Sequence, residues 1–428
     1  MINFGFLGVQ IAFTLQGSQM SRIFQTIGAN PNNLGWFFLL PPLAGLIVQP
    51  IIGYYSDRTW APKLGGRRLP YLLIGMVIAV IVMILLPNSG SFGFGYGSLA
   101  ALWFGAITVA FLDLSSNMAM QPFKMMVGDM VNDDQKSYAY GIQSLICNTG
   151  AVLAAIFPFL LTWWGVSNTA KKGVVPQSVV ISFYVGAVIL VITCLFTIFR
   201  VHEYDPATYA RYHGISEEDN KKGGNWFTLL KHAPRVFWNV ALVQFFCWFS
   251  FQYLSTYAVG AIAKNVWLTT DASSAAYQAA GNWYGVMTAV QSIAAVIWSY
   301  VLAKVPNNHH KAGYAFSLLL GAIGYTSIFF IHSQNALIFS FVLIGIAWAS
   351  MNTYPLTMVT NALSGKHMGT YLGLFNGSIC VPQMVASLLS FGLFPLLGSS
   401  QVNMMLVTGI SALLGAISVL FIKETYQA

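Results

Sequence analysis

Charge is what this sequence has least of. Asp, Glu, Lys and Arg make up 7% of its 428 residues, against about 25% in soluble globular proteins. A water-facing surface cannot be built from so little charge, which excludes a soluble domain. Cysteine is nearly as scarce. Cys147, Cys194, Cys247 and Cys380 each fall inside an apolar run, which excludes a disulfide framework and a metal-ligand spacing. None of the seven histidines sits at the middle of an apolar run. No nucleophile–base pair or ligand cluster is placed for catalysis. The sequence therefore predicts no metal, no cofactor and no enzyme chemistry.

Hydrophobic residues make up 56% of the chain, and its mean hydropathy is +0.65. Runs of about 20 apolar residues, the length that crosses a bilayer as a helix, recur twelve times. They cover about 3–27, 34–56, 70–87, 98–123, 139–163, 178–200, 234–262, 282–304, 312–332, 336–361, 369–394 and 402–423. The first is too long for a signal segment and lacks a basic start, so it reads as a retained span.

The net charge of +8 reports topology once the bases are mapped. Of the 20 Lys and Arg, all but Arg22, Lys171, Lys172 and Lys264 fall in alternate loops or at the tail. Positive charge accumulates on the cytoplasmic side of membrane proteins. Both termini are therefore expected in the cytoplasm of a multi-pass protein of the cell (inner) membrane, with a lipid bilayer and no nucleic acid as its surroundings. The longest polar stretch, about 201–233, divides six spans from six. The expected fold is all-α, with twelve transmembrane helices in two six-helix bundles: residues 1–200, the cytoplasmic loop 201–233, and residues 234–428. That arrangement suggests the major facilitator architecture, with a binding site near the midplane between the halves. "GIQSLICNTG" (Gly141–Gly150) and "GTYLGLFNGS" (Gly369–Ser378) open spans five and eleven with Gly, six residues, Asn, a trace of internal repetition.

"GYYSDRTWAPKLGGRRLP" (Gly53–Pro70) joins spans two and three. Gly53 permits close helix approach. Asp57 can accept hydrogen bonds from Arg67 or Arg68. With Arg58, Lys124 and Asp129 at the same end of the molecule, these residues are candidates for a cytoplasmic gate.

"FLDLSSNMAMQPFK" (Phe111–Lys124) puts Asp113 inside a span. A charged Asp at a helix centre in lipid costs roughly 2.5–3.5 kcal/mol. Asp113, Asn117 and Gln121 share one helix face. Lys124 lies about 16 Å farther along the axis, too far for a direct pair, and Pro122 with Lys124 is expected to end the helix. Asp113 is the one acid well inside a span, so it is the candidate proton site. The competing reading is a structural Asp paired with Arg22 or a backbone group.

Amides and rings populate other spans: Gln10, Gln16, Gln19 and Arg22 in the first, then "WFSFQYLSTY" (Trp248–Tyr257), "NWYG" (Asn282–Gly285), "WASMNTYP" (Trp348–Pro355) and "FNGSICVPQ" (Phe375–Gln383). Amides bond hydroxyls and rings stack on sugar C–H faces, so the set suits a neutral polyol. The candidate substrate contacts are Gln10, Gln16, Arg22, Asn117, Gln121, Asn148, Trp248, Gln252, Trp283, Asn352, Asn376 and Gln383. Helix–helix hydrogen bonding is the competing reading for any single amide.

The run Asp-x-x-x-Asn-x-x-x-Gln-Pro-x-Lys-x-x-x-x-Asp over 113–129 resembles the fourth-helix signature of the sucrose/proton symporters and their bacterial disaccharide-carrier relatives within the major facilitators. "LAGLIVQPIIGYYSDR" (Leu43–Arg58), "LGLFNGSICVPQ" (Leu372–Gln383) and "GVQIAFTLQGSQMSRIF" (Gly8–Phe24) are similar to other helices of the same family. The resemblance implies proton-coupled import of a disaccharide such as sucrose or maltose by a monomer working through alternating access. It implies that Asp113 carries the proton and contacts sugar. Lys124 stands where plant members have Arg. The alternatives are a sodium-coupled glycoside symporter and a proton-coupled multidrug exporter.

Overall fold

The computed structural model describes residues 1–64, 66–205, 208, 230–306, 309–362 and 368–422. Within its helices, the side chains of residues 49–50, 53–54, 57–58, 121, 124, 128–129, 133–134, 136–138, 140, 360–362 and 368–373 lie outside that description. The described residues form twelve long helices. They are α1 (Phe6–Thr26), α2 (Leu34–Arg58), α3 (Leu69–Leu85), α4 (Leu99–Met130), α5 (Asp133–Trp163) and α6 (Gln177–Arg200). The second six are α7 (Arg235–Val266), α8 (Ala275–Leu302), α9 (His310–Phe330), α10 (Leu337–Ala362), α11 (Met368–Leu396) and α12 (Gln401–Ser418).

Ten of these helices are long and apolar enough to cross a membrane. The other two are α1 and α7, which carry Gln10, Gln16, Gln19, Arg22 and Gln25, and Gln244 and Gln252. These are the helices that meet each other between the halves, so their polar residues face protein and not lipid. On α3, by contrast, Ile74, Val77, Ile81 and Ile84 are exposed at helical spacing. That stripe faces hydrocarbon.

Three helix boundaries differ from the sequence expectation. α4 runs through Pro122 to Met130. A proline can sit inside a membrane helix, and Gln143 Nε2 ties α5 to the segment just past it by donating to the Phe123 carbonyl at 3.2 Å. α8 starts at Ala275, seven residues early, because Ser274 caps it by accepting from Tyr277 N at 3.2 Å. α5 starts at Asp133, before its apolar run begins.

The packing repeats with an offset of six helices. In the first half α1 packs on α4, α5 and α6, α2 on α4, and α3 on α4 and α6. In the second half α7 packs on α10, α11 and α12, α8 on α10, and α9 on α10 and α12. The contacts between halves follow the same symmetry: α2 with α11 and α8 with α5, α1 with α8 and α7 with α2. An even number of crossings puts both ends of the chain on one side, here the terminal face. The loops after α1, α5 and α7 lie on the opposite face.

Candidate functional site

Asp113 lies on α4 near the middle of the molecule and is buried. Asn117 Nδ2, one turn on, donates to Asp113 Oδ2 at 2.8 Å and to the Asp113 carbonyl at 2.9 Å. Gln16 Nε2 reaches Asp113 Oδ1 from α1 at 3.4 Å. Gly45 of α2 leaves room above the group. A methyl placed there would sit 3.9 Å from Asp113 Oδ2 and 3.8 Å from Cys380 Sγ of α11. The acid is thus surrounded by elements of both halves, and the described groups bonded to it are neutral amides.

Arg22 does not pair with Asp113. It is fully buried nearer the opposite face, inside a cage of amide oxygens. Nε donates to Gln278 Oε1 at 2.7 Å, and Nη1 to Asn282 Oδ1 at 2.8 Å and Gln19 Oε1 at 3.2 Å. Nη2 donates to Asn168 Oδ1 at 2.8 Å. Gly281 on α8 makes the cage possible, since a methyl there would fall 2.6 Å from Arg22 Cδ and 2.7 Å from Nε.

The same face is sealed by further bonds between the halves. Gln278 Nε2 donates to Thr26 Oγ1 at 2.9 Å and Asn282 Nδ2 to Thr162 Oγ1 at 2.8 Å. Ser21 Oγ donates to the Thr256 carbonyl at 2.7 Å, and Gln401 Nε2 to Gln25 Oε1 at 2.9 Å. Gln252 Nε2 spans α2 and α11, donating to the Phe38 carbonyl at 2.7 Å and Ser387 Oγ at 2.8 Å. At the rim, two hydrogen bonds from Ser273 hold Asp271 below the usual carboxylate range, and Lys172 adds to the effect.

Between described residues, every hydrogen bond joining α1–α6 to α7–α12 lies from the midpoint toward this opposite face. Toward the terminal face Asn148 on α5 is half-buried and Asn352 on α10 is exposed. They bond back to their own helices, at Ser144 and Trp348. An amide turned to lipid is costly, and both bond to their own helix rather than across the two halves.

The remaining candidates lie on several helices. Gln10 accepts from the Cys147 thiol at 3.0 Å and donates to Thr14. Trp248 packs edge-on against Trp348 and Phe251, with centroids 5.5 and 5.6 Å apart. Its indole nitrogen is buried with no partner. Trp283 belongs to the sealed face, donating from Nε1 to the Gln334 carbonyl at 2.8 Å. Asn376 lies one turn from Cys380, and Gln383 is half-buried. The side chains of Gln121, Gly53, Asp57, Arg58, Lys124 and Asp129 lie outside the described residues.

Arg67 and Arg68 are both buried at the terminal face. Arg68 Nη1 donates to Ser56 Oγ of α2 at 2.6 Å. Glu203, just past α6, accepts from the backbone N–H of Arg68 at 2.8 Å and of Leu69 at 3.1 Å. It satisfies the first free donors of α3 and matches the positive end of that helix. Burial raises the Glu203 carboxyl above its usual range, although these bonds pull the other way.

Sequence reasoning missed Glu203, Gln278 and Asn168. Gln278 lies one turn before Asn282 and shares its face. Starting α8 at the Ser274 cap, and not at the apolar run, would have found it.

A model of the Major Facilitator Superfamily matches residues 2–387. The sucrose transport protein SUC4 of Arabidopsis thaliana is 23% identical over 414 residues, covering 89% of this chain and 81% of that protein. The sucrose transport protein SUT5 of Oryza sativa subsp. indica is 23% identical over 439 residues, covering 89% and 79%. Among solved structures, the nucleoside transporter NupG aligns with a TM-score of 0.71 at 12% identity, over 98% of this chain and 98% of that one. A bacterial homologue of the lysosomal transporter Spinster, in an inward-facing and occupied conformation, aligns at 0.68 and 15% identity, over 98% and 95%. Twelve helices packed twice by one pattern, polar groups turned inward, and a family model matching nine-tenths of the residues lead to one conclusion: this chain is a multi-pass membrane transporter, not an enzyme, and belongs to the Major Facilitator Superfamily.

Proposed function

We propose that the chain imports a disaccharide such as sucrose or maltose together with a proton, by alternating access. The termini and the loop 201–233 face the cytoplasm of the cell (inner) membrane, as the distribution of Lys and Arg supports. The conformation described above is then inward-facing, with the outer side sealed through the Arg22 cage. The helices α1–α6 and α7–α12 rock as two bundles of a monomer about the central site.

The observation that carries this reading is Asp113: an acid buried at the centre, bonded to neutral amides of α1 and α4, with Cys380 of the second half nearby. In the outward-facing state a proton from the exterior neutralises it. A neutral carboxyl both donates and accepts a hydrogen bond, so it can bind a sugar hydroxyl in either sense. Asn117, Gln16, Gln10, Asn148, Asn352, Asn376 and Gln383 supply amides, and Trp248 with Trp348 supplies faces for the sugar C–H groups. After rocking, water entering from the cytoplasm favours the ionised acid, and proton and sugar leave. Asp57, Arg58, Arg67 and Arg68, with Gly53, Lys124 and Asp129, close the inner side during the other half of the cycle. Sucrose transport proteins among the relatives support the substrate class.

The test uses the purified protein in vesicles, with labelled sucrose and maltose. Uphill uptake should follow an inward pH gradient and ignore sodium. Asp113→Asn should abolish proton influx on sugar addition and spare exchange of sugar for sugar. Proton influx that persists in Asp113→Asn would remove Asp113 from coupling, and uptake that follows sodium instead would replace the proton.

A further inference from the structure

The hydrogen bonds around Asp113 suit one charge state. Both carboxyl oxygens receive N–H donors, and neither faces an acceptor. When the acid gains its proton, the new O–H needs an acceptor, because an unpaired buried hydroxyl is costly. Asn117 cannot supply one. Its Nδ2 is held by the Asp113 carbonyl as well as the carboxyl, and turning the amide over would set two oxygens against each other.

Gln16 is differently placed. It is buried, with its Nε2 on Asp113 Oδ1 at 3.4 Å. Its Oε1 is also buried and has no hydrogen-bond partner. The far end of this amide makes no bond, so either orientation is equally good there. Only the end facing Asp113 distinguishes them.

We propose that Gln16 is a positioning residue for the proton step, its amide turning over as Asp113 changes charge: Nε2 donates to the ionised carboxylate, and Oε1 accepts from the neutral acid. The proton leaves a hydronium ion of the outer water and forms the O–H bond at Oδ1, and water is released. This rests on the proton coupling proposed above and gives the site its reader. The groups facing Asp113 are Gln16 from α1, Gly45 from α2, Asn117 on α4 itself and the Cys380 thiol from α11. Among the described residues, none of these bears a charge. Arg22 lies six residues beyond Gln16, about 9 Å along α1, held by its own amides.

Turning over also changes what the amide offers at its other end. With Asp113 ionised, that end is an acceptor; with Asp113 neutral, it is a donor. A disaccharide has oxygens that only accept, in its rings and its glycosidic bond. An oxygen of that kind can be bonded only in the protonated state, which ties sugar binding to the proton.

The experiment is an infrared pH titration of the intact protein in lipid, with glutamine side chains isotopically labelled. The Gln16 band is identified by its loss in Gln16→Leu, and the Asp113 carboxyl band by its loss in Asp113→Asn. The two bands should change over the same pH range. In vesicles, Gln16→Leu should lower sucrose accumulation driven by a pH gradient about tenfold, the effect of one lost acceptor for a buried O–H. Counterflow at equal pH reads the sugar contact of the same amide and should fall as well. Gln16→Asn, too short to reach, should behave alike and serves if the leucine variant does not fold. A silent Gln16 band while Asp113 titrates, or accumulation and counterflow both unchanged in Gln16→Leu, would overturn the proposal. Proton influx surviving in Asp113→Asn would instead defeat the coupling beneath it.

Discussion

Replacing Arg22 by Gln tests how the face opposite the termini is held shut. The guanidinium makes two bonds to α8 across the bundle interface, at 2.7 and 2.8 Å. Hydrogen bonds to a charged group contribute about 1.5–3 kcal/mol each. At the low end the pair contributes about 3 kcal/mol to the closed state, and a glutamine regains about 1 kcal/mol through one neutral bond. The net loss of about 2 kcal/mol lowers the closed-to-open ratio about thirtyfold. The bonds from Gln278 to Thr26 and from Asn282 to Thr162 remain, so the gate is weakened and not destroyed. Relief from burying a charge works in the opposite direction, and the sign of the result decides between them. Spin labels at the exposed loop residues Thr169 and Thr270 report the opening by electron–electron distance. In Arg22→Gln the distribution should gain a longer component. Unchanged distances, or a more closed distribution, would refute the claim that this cage holds the gate.

Gly281→Ala should lengthen the same distances while removing no polar group, because its methyl would collide with Arg22 Cδ and Nε. Glu203 gives a stability prediction with a definite sign. Burial raises its carboxyl, so folding takes up protons there and stability falls as pH rises above the ordinary carboxylate range. Thermal unfolding of Glu203→Gln should lose part of that slope, while Glu203→Ala should cost about 1 kcal/mol through the uncapped start of α3; identical slopes in the wild type and the Gln variant would contradict the assignment. For topology, reporters at both termini and within 201–233 should read cytoplasmic and those at 165–177 and 265–280 exterior, and a cytoplasmic signal from 165–177 would invert the orientation.

The helices were legible because a bilayer demands long apolar runs, and twelve such runs stand out whatever the tertiary packing. Their ends were less legible. α4 continues past Pro122, where the apolar run ends, and α8 begins early because a serine caps it. Asp113 could be read in advance, since a lone acid inside an apolar run is costly wherever it points. The surroundings of Arg22 could not. Its position on α1 fixes a face, but the oxygens around it come from α8 and from the loop after α5, and only the folded chain brings those together. Gln252 and Trp283 show the same limit. Both read as sugar contacts, and both are bonded on the sealed side.

The Arg22 cage also bears on leakage. Its acceptors are all amides, which neither titrate nor exchange partners with dissolved ions. An exterior acidic enough to load Asp113 leaves these bonds untouched, and salt, which screens exposed ion pairs, finds no exposed pair in this inner layer to weaken. On the proposed coupling, the barrier that keeps the membrane tight and the group that senses the driving force are chemically insulated from each other, and a steep proton gradient would not loosen the seal it presses against.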